Sequence, residues 1–168
     1  MIRKLSRILR SKPLIIGVGN SGRRDDGLGW EFLDMLEEME EVQAKLEYRY
    51  QLQVEDAFQA SQHNLVLFVD ASQNSTPSGY DLSTCYPAND LTFTTHALTP
   101  QAVLHLCRHL YGCLPESYVL QIEGYEWELK KGLSIKAKQN LDRLSELIHS
   151  GIYNSFELDE VSEEKVYL

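Results

Sequence analysis

Leu65-Val66-Leu67-Phe68-Val69 runs without a polar residue and leads straight into Asp70-Ala71. A strand with one wet face would alternate polar and apolar side chains, so an unbroken run of this kind predicts a strand covered on both faces. Pro13–Val18 repeats the pattern and ends in glycines, which predicts a second buried strand. Leu46–Val54 alternates and reads as a third. Ser117–Glu123 is a further strand, and Tyr80–Tyr86 a weaker, more exposed one that could run antiparallel.

The stretches between them have helical spacing. Over Asp26–Glu41, Leu28, Phe32, Leu36 and Met39 form one apolar stripe. Glu55–Gln62 reads as a short helix and Gln73–Gly79 as a polar loop. Thr99-Pro100 is a helix start, with a threonine cap and proline in the first turn, and Val103, Leu106, Cys107 and Leu110 share the face that follows. Ser134 caps a last helix with Ala137, Leu141, Leu144 and Ile148 inward, and Gly151 stands where a helix-ending glycine is expected. Strands alternating with helices predict an α/β fold: a single-domain three-layer α/β/α sandwich around a mainly parallel, twisted sheet of about five strands. The expected division is a basic N-terminal extension over 1–12, an α/β domain over 13–151 and an acidic, mobile tail over 152–168.

At 168 residues the chain has room for one domain with a sizeable core. Its net charge of −9 argues against nucleic acid as a partner, because phosphate binding needs a basic surface. No apolar run is long enough to span a membrane. Met1–Lys12 is basic and amphipathic but lacks the apolar core and cleavage site of a secretory signal, so a surface helix is expected there. Cys85, Cys107 and Cys113 contain no C-x-x-C pair, which fits reduced, core-packed thiols in a cytoplasmic protein. A monomer is expected.

In an open parallel sheet, ligands bind beyond the carboxyl ends of the strands. After the first strand comes Gly17-Val18-Gly19-Asn20-Ser21-Gly22-Arg23-Arg24-Asp25-Asp26-Gly27, after the central one Asp70-Ala71, and before the Thr99-Pro100 helix Thr94-Thr95-His96. Gly17, Gly19 and Gly22 make a G-x-G-x-x-G, the dinucleotide fingerprint. Two acids at the following helix start would repel a pyrophosphate, and no acid ends the second strand to hold a ribose. On local grounds Asp25 reads as a structural acid complementing the helix dipole, and Asp26 could be structural too. Asp70 ends an apolar strand, where an unpaired charge is costly, so it is a candidate for function. Two carboxylates and an imidazole make a credible transition-metal site. His105 and His109, four apart on a helix, read as a solvated face.

In this order and spacing, the motifs resemble the nickel–iron hydrogenase maturation endopeptidases over roughly residues 14–150. Gly17-x-Gly19-Asn20 with Arg24-Asp25-Asp26-Gly27-x-Gly29 resembles the family's opening motif, Val69-Asp70-Ala71 its second, and His96 within Thr95–Pro100 its third. Ile122–Trp127 and Gly132-Leu133-Ser134 resemble its closing strand, loop and helix start. Tyr50–Asp56 departs from the glycine-glycine-threonine stretch that the family often has. The resemblance implies a hydrolase that removes a C-terminal extension from the hydrogenase large-subunit precursor after nickel insertion. It also implies Asp26, Asp70 and His96 as the catalytic, metal-contacting residues, with nickel brought by the precursor and Asp25 a neighbouring acid. The rival readings are a non-catalytic nickel-sensing assembly module with the same ligands, and a dinucleotide-binding oxidoreductase.

Overall fold

The computed structural model describes the backbone of residues 2–89 and 98–163 and the side chains of residues 3–89 and 98–152. Five strands form one sheet: β1 (Leu14–Val18), β2 (Lys45–Arg49), β3 (Leu65–Ser72), β4 (Tyr80–Thr84) and β5 (Glu116–Glu123). Their order across the sheet is β2-β1-β3-β5-β4. All neighbours are parallel except β4, which pairs antiparallel with β5. The helices are α1 (Ile2–Arg10), α2 (Leu28–Glu37), α3 (Glu55–Ser61), α4 (Pro100–Tyr111) and α5 (Ile135–Glu163), with a single 3-10 turn over Arg24–Gly27 before α2.

The unbroken apolar strands are covered on both faces, as their composition requires. Leu65, Leu67 and Val69 of β3 point into a core built with α1, α2 and α5. Val66 and Phe68 point into a second core closed by α3 and α4. The molecule is therefore the expected three-layer α/β/α sandwich with a mixed, mostly parallel sheet. The α2 stripe of Leu28, Phe32 and Leu36, with Met39 beyond it, is buried as its spacing predicted.

Several boundaries differ from the sequence reading; α2 ends at Glu37 rather than Glu41, and β4 at Thr84 rather than Tyr86. The 3-10 turn occupies the residues read as the first turn of the helix, and α2 proper begins only at Leu28. The second strand stops at Arg49 rather than Val54. There the Asp56 carboxylate accepts a hydrogen bond from the Gln53 amide at 2.8 Å and pairs with Arg49 Nε at 2.8 Å, so the chain turns directly into α3. The central strand continues past Val69 to Ser72, because β5 keeps pairing with it up to Ser72 opposite Glu123. Gly151 does not end a helix: α5 runs through it to Glu163, and Gly151 lacks the positive φ of a C-terminal cap.

The basic N-terminal helix is part of the core. Leu5, Ile8 and Leu9 are buried in one cluster with the α2 and α5 residues, while its cations reach the start of β5. Arg7 bridges Glu116 at 2.7 Å and donates to the Tyr118 hydroxyl at 3.0 Å, and Lys4 lies 4.3 Å from the Tyr118 ring centre. Truncating a fully buried isoleucine removes its burial and leaves a cavity, so Ile8→Ala should destabilise the protein by about 2–4 kcal/mol. Urea unfolding checks this; an unchanged midpoint would mean that the helix does not dock.

Candidate functional site

The site follows from unequal strand lengths. Along the β1–β3 pair the last register is Gly17 opposite Val69, yet β3 runs on through Asp70, Ala71 and Ser72. A crevice opens beyond the carboxyl end of β1. It lies where the strand order turns back, with β2 on one side of β1 and β3 on the other, the place where open α/β sheets bind ligands.

The loop after β1 folds across this crevice without a phosphate cradle. Gly19 has φ 143°, and a Cβ there would lie 1.9 Å from the Asp26 carbonyl oxygen. That carbonyl instead accepts the Asn20 amide at 3.0 Å. The Gly22 amide donates to Asn20 Oδ1, and the Arg23 and Asp26 amides donate to carbonyls within the loop. The amides that would hold a pyrophosphate are thus spent internally. Gly29 has its own reason: a Cβ would sit 2.4 Å from the Val18 carbonyl and 2.8 Å from that of Val69. Only glycine lets α2 start directly on the ends of β1 and β3. The glycines of this segment serve close packing, and the dinucleotide reading loses its support.

Asp25 and Asp26 point to different tasks. Asp25 is fully buried. Its carboxylate accepts hydrogen bonds from the Tyr125 and Glu126 amides at 2.7 and 2.9 Å, and from the Ser134 amide and hydroxyl at 2.7 Å each. Burial pushes its pKa up, but these four donors more than offset that and hold it below the ordinary value. The sequence reading of Asp25 as structural stands, with a different partner: it clamps the distant loop between β5 and α5 rather than its own helix end. Ser134 still caps α5 by accepting the Ala137 amide at 3.2 Å. Arg24 reinforces the clamp by pairing with Glu126 and Glu128 on that loop.

Asp26 is half-buried and close enough to Asp70 for its charge to act there, and among the described residues no group donates a hydrogen bond to its carboxylate oxygens. Burial raises its pKa, with Arg23 acting in the opposite direction. Asp70 is pushed up to about 6, first by burial, against the Ala71 amide that donates to its Oδ1 at 2.8 Å, and further by the charge of Asp26. Two acids from separate elements are therefore brought together and share a poorly compensated negative charge. A divalent cation would relieve both burial and repulsion, so the donor set fits a metal. His96 lies outside the described residues, and among those no cluster of three ligand-type side chains occurs.

Beside Asp70 a cavity of about 290 Å³ opens on the α3–α4 face of the sheet. Val18, Phe68 and Val119 from three adjacent strands line it, with Leu52 and Leu98 at its side and Gln51, Gln101 and Gln121 among its polar groups. The sequence reading did not single out Gln121. Its signal was a lone amide inside the otherwise apolar Val119–Ile122 stretch of β5, in register with Asp70.

His105 is buried, not solvated: its Nδ1 lies 2.7 Å from the Ala88 carbonyl, and its ring stacks on exposed His109. Helical periodicity cannot foresee that the chain after β4 crosses over α4. The thiols are free and mostly inside, as expected, with Cys107 and Cys113 sulfurs 3.7 Å apart.

Two stability predictions follow from opposite pKa shifts. Asp25→Ala leaves buried donors unpaired and should cost about 3 kcal/mol. Because its folded pKa is lowered, the wild-type contribution is complete above the ordinary carboxylate pKa and fades as pH falls through the folded value. The penalty should therefore shrink in acid unfolding curves. Asp70 has the reverse sign: its raised folded pKa makes the ionised form costly, a cost absent below the unfolded pKa near 4 and complete above about 6. Asp70→Asn should stabilise the protein on the order of 1–2 kcal/mol at pH 8 and hardly at all at pH 4. Thermal melts at the two pH values decide it.

No protein-family model and no curated protein matches the sequence. Solved structures do match. The NiFe hydrogenase maturation protease HycI of Thermococcus kodakarensis KOD1 superposes with a TM-score of 0.67 at 20% identity, over 89% of this chain and 99% of that one. The hydrogenase maturating endopeptidase HybD of E. coli gives 0.62 at 16% identity, over 86% and 93%. A hydrogenase 2 maturation peptidase from a Thaumarchaeota archaeon gives 0.58 at 19%, over 84% and 99%. These matches run along nearly the whole length of each relative and extend the motif resemblance to the fold: this chain has the architecture of the NiFe hydrogenase maturation proteases.

Proposed function

We propose that the protein is an endopeptidase that removes the C-terminal extension of a nickel–iron hydrogenase large-subunit precursor once nickel is in place. The observation that carries this reading is the Asp26–Asp70 pair at the sheet switch point, two carboxylates pushed up by burial with the charge of one raising the other. The fold shared with proteases of this kind supports it. Residues 13–151 carry the proposed site, with α1 packed on them and α5 running on through Gly151 to Glu163.

Asp26, Asp70 and His96 are assigned to contact nickel that the precursor itself holds, which would fix the adjoining peptide in the crevice. The ion would supply Lewis acidity toward a carbonyl or a water. The chain supplies position. The Asp25 clamp and the Gly19 turn fix the backbone that presents Asp26, and the β5 pairing fixes Asp70. Since the ion comes with the substrate, the isolated protein should bind nickel only weakly.

Intact mass of a nickel-loaded precursor, with and without the protein, tests this directly, with a nickel-free precursor in parallel. Loss of a C-terminal peptide only from the loaded sample is the expected result. No cleavage of a correctly loaded cognate precursor would leave a non-catalytic nickel-sensing module. Asp26→Ala, Asp70→Ala and His96→Ala should each abolish processing, by at least 100-fold if they act as ligands; full activity in the two aspartate variants would remove the assigned ligand set. Because protonated Asp70 cannot ligate, processing should decline as pH falls below about 6, and single-turnover rates between pH 5 and 8 check that.

A further inference from the structure

The cavity beside Asp70 has a shape and chemistry that the assigned metal contacts do not use. Its floor is apolar across three strands, formed by Val18, Phe68 and Val119. Gln51 and Gln121 also line it, and their side chains make no hydrogen bond to another described residue. Among the described residues, no lysine, arginine or histidine lines it, and the one charged group is the carboxylate of Asp70. Its volume of about 290 Å³ is at the lower end of small-ligand sites, about 300 Å³ and upward. That is room for one bulky side chain with its adjoining peptide groups.

These features select an occupant. An acidic side chain would meet the Asp70 carboxylate at close range, and a basic one would place its charge over the apolar floor. An apolar side chain matches the floor, and a primary amide both donates to and accepts from a peptide group. We propose that this cavity is the subsite for one apolar residue of the precursor beside the scissile bond, its backbone held by the Gln51 and Gln121 amides. The identification of the occupant as a precursor residue rests on the proposed endopeptidase function. The physical preference of the cavity for an apolar peptide residue does not.

Two measurements separate the possibilities. In the first, N-acetyl-Ala-Leu-Ala-amide and N-acetyl-Ala-Asp-Ala-amide are titrated into the full chain carrying labelled methyl groups. Saturable shifts at Val18, Leu52 and Val119 with the leucine peptide, at least tenfold weaker with the aspartate peptide, are expected. Equal or absent responses would overturn the subsite. In the second, nickel-loaded precursors carrying Leu, Ala or Asp at each position flanking the scissile bond are processed by wild type and by Val119→Phe, whose ring would fill the floor. At one flanking position, kcat/KM should favour Leu over Asp at least tenfold in wild type, and the filled variant should shift preference toward Ala while its melting curve stays cooperative. Processing that ignores residue type at both positions would overturn the subsite and leave the endopeptidase standing. Selective peptide shifts without any precursor cleavage would do the reverse.

Discussion

The buried carboxylate of Asp25 is the constraint on which the site depends. It belongs to the turn after the first strand, yet all four of its hydrogen-bond donors come from Tyr125, Glu126 and Ser134, about a hundred residues later. A charge with no exposed surface is tolerable only when hydrogen-bond donors compensate it at both oxygens. Here that requirement holds two loops together. Gly124 lies so close that a Cβ there would fall 2.8 Å from the Asp25 Cβ, so the loop passes directly over the acid. Asp26, the next residue, inherits a fixed backbone from this clamp.

Adjacent aspartates thus divide structure from chemistry by environment alone. Hydrogen-bond donors surround Asp25 and favour its ionised form. Asp26 has none among the described residues, and burial disfavours its charge. The same contrast separates Asp70 from Asp56, another buried acid, whose two oxygens are taken by Arg49 and the Gln53 amide. A satisfied acid is architecture. An acid whose burial is not compensated is where a cation or a proton has something to gain.

The crevice owes its existence to a difference in length between neighbouring strands. β1 ends in residues that let α2 approach closely, while β3 is held extended by its long pairing with β5. Asp70 is left standing past the end of β1, with apolar strand residues beneath it and the start of α4 alongside. The glycines of the opening motif make this geometry possible through Gly19 and Gly29, where backbone carbonyls occupy the space that a side chain would need. Their pattern imitates a phosphate-binding loop because both structures need the chain to come close to something, here another part of itself.

The layer order, the mostly parallel sheet, the place of Asp70 just after the apolar run of the central strand and the helix caps at Thr99 and Ser134 were legible in the sequence. Each depends on local periodicity or on the preferences of a few adjacent residues. The true start of α2, the early stop of β2 and the continuation of α5 through Gly151 were not, since each boundary depends on pairing or packing with distant segments. Burial of His105 beneath the chain at Ala88 was hidden for the same reason. The sequence alone determined which acids were candidates for chemistry, because residue type and position relative to an apolar run are written in the order of the chain. Only the tertiary structure decided that Asp25 clamps while Asp26 comes close enough to Asp70 for its charge to act there, and that Gln121 lies beside Asp70. Those assignments rest on hydrogen bonds and strand registers between segments far apart in sequence.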